Sequence, residues 1–240
     1  MKKKYKILAV ITARSGSKGI PGKNLKKLRK KPLVVYTIQV AKKSKLISHL
    51  IVSTDDKKIA DISKKLKVQV PFLRPAALAS DTASHIDVMK HANDFMEKKL
   101  GIIFDYVVIL QPTSPLREAK DIDETLKKII NNKQADSAVS LVEIDCNHPI
   151  KIKKIIGDRV FPYCIKENVF RRQDLPTAYK RSGAVYVMTR DLLMKKNKIF
   201  GNNIVGHIVP KERSIDIDNE FDWLKAEYMM KKINNKIKLK

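Results

Sequence analysis

An apolar run from Ile7 to Ile11 passes, through Thr12, straight into Ala13-Arg-Ser-Gly-Ser-Lys-Gly-Ile-Pro-Gly-Lys-Asn24. No other junction in the chain limits its fold as strongly. The run is short, unbroken and rich in β-branched side chains, which suits a strand buried on both faces of a parallel sheet. The loop after it holds Gly16, Gly19 and Gly22 together with the cations Arg14, Lys18 and Lys23. Glycines let backbone N–H groups approach a ligand's oxygens, and cations neutralise them. Such a loop at the carboxyl end of a first strand suits a polyphosphate.

Two familiar phosphate binders are excluded by spacing. A Walker A loop needs a glycine five residues after Gly16, where Pro21 stands, and Ser or Thr after the lysine, where Asn24 stands. A dinucleotide fingerprint fails because the glycines fall at intervals of three.

The chain that follows reads as alternating helices and strands. Pro32 suits the first turn of a helix whose Leu33, Tyr36, Ile38 and Val40 supply a buried face. His49 to Asp55 reads as a strand, and Lys57 to Leu66 as a helix with Ile59, Ile62 and Leu66 at helical spacing. Val68 to Val70 is expected as a short strand. Phe72 to Thr82 is a loop in which Arg74, ahead of Pro75, is held extended and can present its flat donors to a base edge or a phosphate. Ser84 caps a helix reaching Met96. His85 and His91 are six residues apart, no same-face metal spacing, and are taken as structural or incidental.

Asp105 to Leu110 is the next buried strand. It feeds Gln111-Pro-Thr-Ser-Pro-Leu-Arg117, a turn expected at the sheet's carboxyl edge, where Gln111 must find partners for its amide. Helix 121–130 and strand 137–142 follow. Residues 145–180 break the rhythm with three prolines and a hairpin turn at Gly157-Asp158, as expected of a protruding arm. Ala184 to Met188 and Ile204 to Val209 resume the sheet, and a closing helix from Phe221 to Met230 carries Trp223. The expected fold is therefore α/β, a Rossmann-like, mostly parallel sheet flanked by helices. Residues 1–144 and 181–240 form the core, with 145–180 as an inserted dimerisation arm.

Before the closing helix, Ser214-Ile-Asp-Ile-Asp218 alternates apolar residues with carboxylates. An extended backbone projects Asp216 and Asp218 from one face, and two adjacent carboxylates suit Mg²⁺ with its phosphate ligands.

The net charge of +25 suggests nucleic acid or an anionic membrane as partner. Lysine supplies most of it, however, spread along the whole chain with no arginine-rich arm and no basic–aromatic interleaving. Neither a nucleic acid nor a membrane is expected as a partner. Cys146 and Cys164 have neither metal-site nor disulfide-framework spacing, and no leader is evident, so a cytoplasmic location is expected.

The loop from Ala13 to Asn24, Leu110-Gln-Pro-Thr-Ser-Pro-Leu-Arg117, Arg172-Gln-Asp-Leu-Pro176, Gly183-Ala-Val-Tyr186 and Ser214 to Asp218 resemble together the acylneuraminate cytidylyltransferases, the CMP-sialic acid synthetases. The resemblance runs over nearly the whole chain. It departs at Ser182, where the family more often shows Asn.

The resemblance implies transfer of CMP from CTP to the anomeric hydroxyl of a nonulosonic acid, with release of pyrophosphate, in surface-polysaccharide biosynthesis. It implies that Arg14, Ser15, Gly16, Lys18, Lys23 and Asn24 bind the triphosphate, and that Arg74, with the Ala79–Asp81 backbone including Ser80, contacts cytosine. Gln111 would contact the sugar acid, and Asp216 and Asp218 would hold Mg²⁺. Lys23, Asp216 and Arg14 would carry the catalysis, with Asp216 helping to deprotonate the hydroxyl. A homodimer is implied, Lys151 and Arg172 of each arm reaching the sugar carboxylate in the partner's site. Legionaminate, pseudaminate and 3-deoxy-manno-octulosonate enzymes are the same-fold alternatives. A basic nucleic-acid-binding protein is the alternative from another class.

Overall fold

The computed structural model describes residues 5–144, 148–163, 171 and 175–238, with side chains up to 233. At its centre lies a six-stranded sheet. β1 (Ile7–Thr12) is buried from Ile7 to Ile11, because both faces carry helices. It pairs in parallel with β4 (His49–Ser53) on one side and β5 (Tyr106–Leu110) on the other. β9 (Ala178–Thr189) runs antiparallel between β5 and β6 (Ser137–Ile144), and β10 (Ile204–Ile208) closes the far edge parallel to β6. The order is β10-β6-β9-β5-β1-β4.

Alternate side chains of β1 sort the helices into two layers, because successive strand residues point to opposite faces. Ile7, Ala9 and Ile11 pack with α1 (Leu33–Ala41), α2 (Lys57–Lys65) and α4 (Ala119–Ile130). Leu8 and Val10 pack with α3 (His85–Leu100) and α5 (Arg190–Met194). Asp56 and Ser84 start α2 and α3 by accepting first-turn N–H groups, and Gly101 ends α3 in the left-handed conformation. A third cluster joins Ile20, Leu28, Leu33, Leu116 and Ile217 to Trp223, Ala226 and Met230 of α6 (Glu220–Lys238). It fastens the glycine-rich loop to the acidic segment before α6.

Some expectations change on contact with the tertiary structure. Val68 to Val70 forms no strand: only Gln69, bridged to Ile51, and later Leu73, bridged to Thr54, touch the sheet edge. Pro71 lacks the N–H that would continue a ladder. The segment Ser214 to Asp218 is unpaired with the sheet and is pinned by the Ile217 N–H donating to the Thr113 carbonyl at 2.8 Å. Within α1, Leu33 and Ile38 are buried, while Tyr36 and Val40 are half-buried, the Tyr36 hydroxyl reaching the Leu28 carbonyl at 2.7 Å.

β9 begins at Ala178, so it and the end of β6 leave the core as a two-stranded ribbon, with a register shift between Val139 and Leu141. Beyond that ribbon, β7 (Lys153–Ile156) and β8 (Arg159–Pro162) form an exposed antiparallel hairpin around Gly157-Asp158. Gly157 takes a φ of +59° there, which glycine alone adopts cheaply. A second hairpin, β2 (Lys27–Leu28) with β3 (Lys31–Pro32), leads into α1. Among the described residues no helix is long and apolar enough to cross a membrane.

Candidate active site

A cavity of about 310 Å³ opens at the carboxyl edge of β1, β4 and β5, where open α/β sheets take ligands. The glycine-rich loop contributes Arg14, Gly16, Ser17, Lys23 and Asn24. Opposite lie Arg74, Ser80, Asp81 and His85, and Gln111, Thr113 and Asp218 complete the wall. Of the residues expected to bind nucleotide, Arg14, Gly16, Lys23, Asn24, Arg74 and Ser80 are therefore gathered in one cavity. Ser15 and Lys18 are in the same loop but do not line it.

Lys23 is buried, and its ammonium donates to the Ile217 carbonyl at 2.6 Å and lies 3.5 Å from an Asp218 carboxylate oxygen. Gly19 packs directly on the Asp218 backbone carbonyl, where any side chain would collide. The loop and the acidic segment thus form one edge of the site. Asn24 spends its amide on the Arg14 carbonyl at 2.8 Å, closing the loop on itself. Arg14 crosses the cavity, donating to the Ser80 carbonyl at 2.9 Å and pairing with Asp81 at 2.7 Å, with Lys18 3.8 Å from the same carboxylate.

Arg74 is buried, its Nε donating to Ser53 Oγ at 3.0 Å and its Nη2 to the Ser53 carbonyl at 2.5 Å. Burial lowers its pKa to about 10, with the Asp55 charge opposing, so it remains a cation at neutral pH. Gln111 lines the cavity, and its backbone carbonyl is held by the Arg117 guanidinium at 2.5 Å.

Asp216 and Asp218 share a second groove of about 440 Å³ with Lys180, Arg181, Ser182 and Lys225, and Asp218 faces both openings. Asp218 is exposed. Asp216 is half-buried, and its Oδ1 is buried with no hydrogen-bond partner among the described residues. Burial pushes the Asp216 carboxyl above its ordinary value. Thr113, Lys23 and Arg117 pull it back, while the neighbouring Asp218 adds to the rise. Gly183, at a φ of +76°, lies against the Asp216 carboxylate and the Ser114 hydroxyl, leaving no room for a Cβ.

Among the described residues no group of three His, Cys, Asp or Glu side chains could hold a metal alone. Two carboxylates, one with an orphaned oxygen, fit a hard divalent cation that takes its other ligands from phosphate and water.

Lys151 is exposed at the end of a 3₁₀ turn, Pro149–Lys151, at the root of the arm, and does not line the cavity. Arg172 lies outside the described residues, as do Cys146 and Cys164.

Several participants escape the sequence. Arg117 is fully enclosed, donating to Ala184 O at 2.6 Å, Thr37 Oγ1 at 3.1 Å and the Gln111 carbonyl. Burial lowers its pKa to about 10, with Asp216 foremost among the charges opposing. Asp55 and His85 also meet the site only through the fold, as does the Asp81 carboxylate, whose segment was expected there only for its backbone. Their one linear signal is position after a strand or before a helix at the sheet's carboxyl edge.

Solved structures share this architecture. CMP:2-keto-3-deoxy-manno-octonic acid synthetase complexed with CTP superposes with a TM-score of 0.70 at 18% identity, covering 95% of this chain and 99% of that one. A 4-diphosphocytidyl-2C-methyl-D-erythritol synthase from Anaerococcus prevotii gives 0.63 at 14% identity, covering 95% of this chain and 100% of that one. The fold is that of an α/β nucleotidyltransferase.

Residues 8–233 match the family model described as Cytidylyltransferase, and the chain belongs to that family. Similar proteins include post-translational flagellin modification protein B of Campylobacter coli, 33% identical over 95% of this chain and 96% of that one. The CMP-N,N'-diacetyllegionaminic acid synthase of Legionella pneumophila is 34% identical over 94% of this chain and 96% of that one. The N-acylneuraminate cytidylyltransferase of Escherichia coli is 33% identical over 98% of this chain but 54% of that longer one.

Proposed function

We propose that this cytidylyltransferase activates a nonulosonic, sialic-type sugar acid with CTP, giving the CMP-sugar and pyrophosphate. The observation that carries the reading is the apposition of Lys23 with the Ile217–Asp218 segment at the mouth of a cavity also lined by Arg74 and Gln111. It supplies cations for a triphosphate, carboxylates for a metal, and a buried guanidinium for the base.

In this reading CTP lies across the cavity, with Arg14, Lys23 and the Gly16 backbone on its phosphates and Arg74 with the Ser80 segment at cytosine. The sugar acid enters between Gln111 and the acidic segment. Its anomeric oxygen bonds to the α-phosphorus, the bond from that phosphorus to the β-bridging oxygen breaks, and pyrophosphate leaves. Lys23 stabilises the charge that develops, as preorganised donors do. Asp216 helps remove the hydroxyl proton. Asp216 and Asp218 would hold Mg²⁺, which when bound neutralises phosphate charge.

A homodimer is part of the proposal. The arm exposes Ile155, Ile156, Val160 and Tyr163 on its hairpin and after it, an apolar surface of the kind that association covers. Lys151 and Arg172 of one subunit would then meet the sugar carboxylate in the other. A cytoplasmic location follows from the use of CTP and belongs to the same proposal.

Among sugar acids, N,N'-diacetyllegionaminate is a second reading. The relative named for it matches this chain over nearly its full length, whereas this chain spans about half of the N-acylneuraminate enzyme. Pyrophosphate release with CTP and Mg²⁺ against N-acetylneuraminate, N,N'-diacetyllegionaminate, pseudaminate and 3-deoxy-manno-octulosonate tests both. Activity with none of them, in protein that melts cooperatively, overturns the function.

A further inference from the structure

The carboxyl end of β4 grips both halves of the cavity within three residues. Ser53 accepts two hydrogen bonds from the Arg74 guanidinium, and Thr54 O accepts one from the Arg74 N–H at 2.8 Å. Asp55 grips the other half. Its Oδ1 accepts the Ser15 N–H at 2.9 Å and its Oδ2 the Ser15 hydroxyl at 2.5 Å. Capping α2 falls to the next residue, Asp56, so Asp55 is not needed for the helix.

Ser15 thus has its backbone donor and its hydroxyl proton committed away from the ligand space. Its neighbours Arg14, Gly16 and Ser17 line the cavity, whereas Ser15 does not. A glycine-rich loop has many accessible conformations, and a carboxylate taking two bonds from one residue selects among them. The charge of Asp55 also acts on the buried Arg74, which has no carboxylate in direct contact among the described residues.

Resting on the CTP-binding reading above, we propose that Asp55 is the positioning residue of the triphosphate loop, and that Ser15 acts through Asp55 rather than by touching phosphate. The clamp fixes the turn out of β1, so that the Arg14 side chain and the Gly16 backbone meet the nucleotide already aimed. Because Ser53 holds Arg74 two residues earlier, the same strand end sets the spacing between the phosphate and base ends of the site.

The test combines Asp55→Ala, Ser15→Ala, the double variant and Asp55→Asn, whose amide can still pair with both Ser15 groups. Calorimetric CTP affinity is measured alongside steady-state constants and amide exchange of residues 14–19 in nucleotide-free protein. Each single Ala variant should weaken CTP about tenfold, near the worth of a charge-assisted hydrogen bond. The double variant should be no weaker than the worse single variant, because both remove one clamp. The sugar-acid KM should change less than twofold, Asp55→Asn should recover most of the CTP affinity, and loop exchange should quicken in Asp55→Ala.

Additive losses in the double variant would show Ser15 contacting phosphate directly and overturn the proposal. So would unchanged CTP affinity or unchanged exchange in Asp55→Ala. Wild-type protein that binds no CTP overturns the nucleotide reading instead, and the exchange data still decide whether the clamp orders the loop.

Discussion

Lys23 and Ile217 are 194 residues apart in sequence, and the Lys23 ammonium donates to the Ile217 carbonyl at 2.6 Å. The glycine-rich loop and the acidic segment are joined by this bond, by the Asp218 carboxylate 3.5 Å from the same ammonium, and by Gly19 seated on the Asp218 backbone. Lys23 therefore has two tasks: it ties the site together and presents positive charge to the cavity.

Lys23→Ala should lower kcat by about 10²-fold or more, in line with removal of other charge-stabilising donors. A loss below threefold in pyrophosphate release, with the melting temperature held, removes Lys23 from the chemistry.

Asp216→Asn preserves volume while removing the charge. It should abolish pyrophosphate release and leave thermal unfolding within a few degrees of wild type. Chelation of divalent cations by EDTA should silence the wild-type enzyme, with Mg²⁺ restoring it. Near-normal turnover of the variant at ordinary Mg²⁺ would sink the metal assignment.

Gly183→Ala tests the close packing behind the acidic pair. At a φ of +76° a Cβ is strained, and here it would also meet the Asp216 carboxylate. The strain alone should cost about 1 kcal/mol, read as a shifted urea midpoint. Displacement of Asp216 should reduce kcat far more than that loss of stability explains. Wild-type kcat in the variant would show that the carboxylate's position is not critical.

Acid sensitivity should trace to Asp121, buried at the start of α4. Burial alone would raise its pKa, but His207, its Nε2 3.7 Å away, and hydrogen bonds from Arg213 and the Glu118 N–H outweigh it and hold the value at about 2. A folded-state pKa below the unfolded 3.8 means stability that is fully present above about pH 4 and lost as pH falls through 2. Its worth is about 2 kcal/mol. The urea-midpoint gap between wild type and Asp121→Asn should be widest at pH 5 and shrink toward pH 2.5. A gap constant with pH would assign the effect to packing.

Much of this could be read from the chain. Ile7 to Ile11 announced a doubly buried strand because both faces must be apolar, and the helical spacing of Ile59 and Ile62 announced α2. The glycines and cations after β1 pointed to a ligand-facing loop by backbone freedom and charge, both local properties, and that loop lines the cavity. Val68 to Val70 misled because three β-branched or extended residues look like a strand until one asks what pairs with them. For that segment the answer is a single bridge, from Gln69 to Ile51.

Most element types, the loop's composition and the carboxylate pair are legible along the chain, since they depend on residues adjacent in it. Which side chains meet is a matter of packing. The folded chain turns Ser15 toward Asp55, buries Arg117 behind Gln111 and Ala184, and sets Lys23 on Ile217. Burial and hydrogen-bond satisfaction are properties of the packed sheet edge. A buried polar group must find a partner wherever the fold brings one, and chain spacing carries no record of which partner that is.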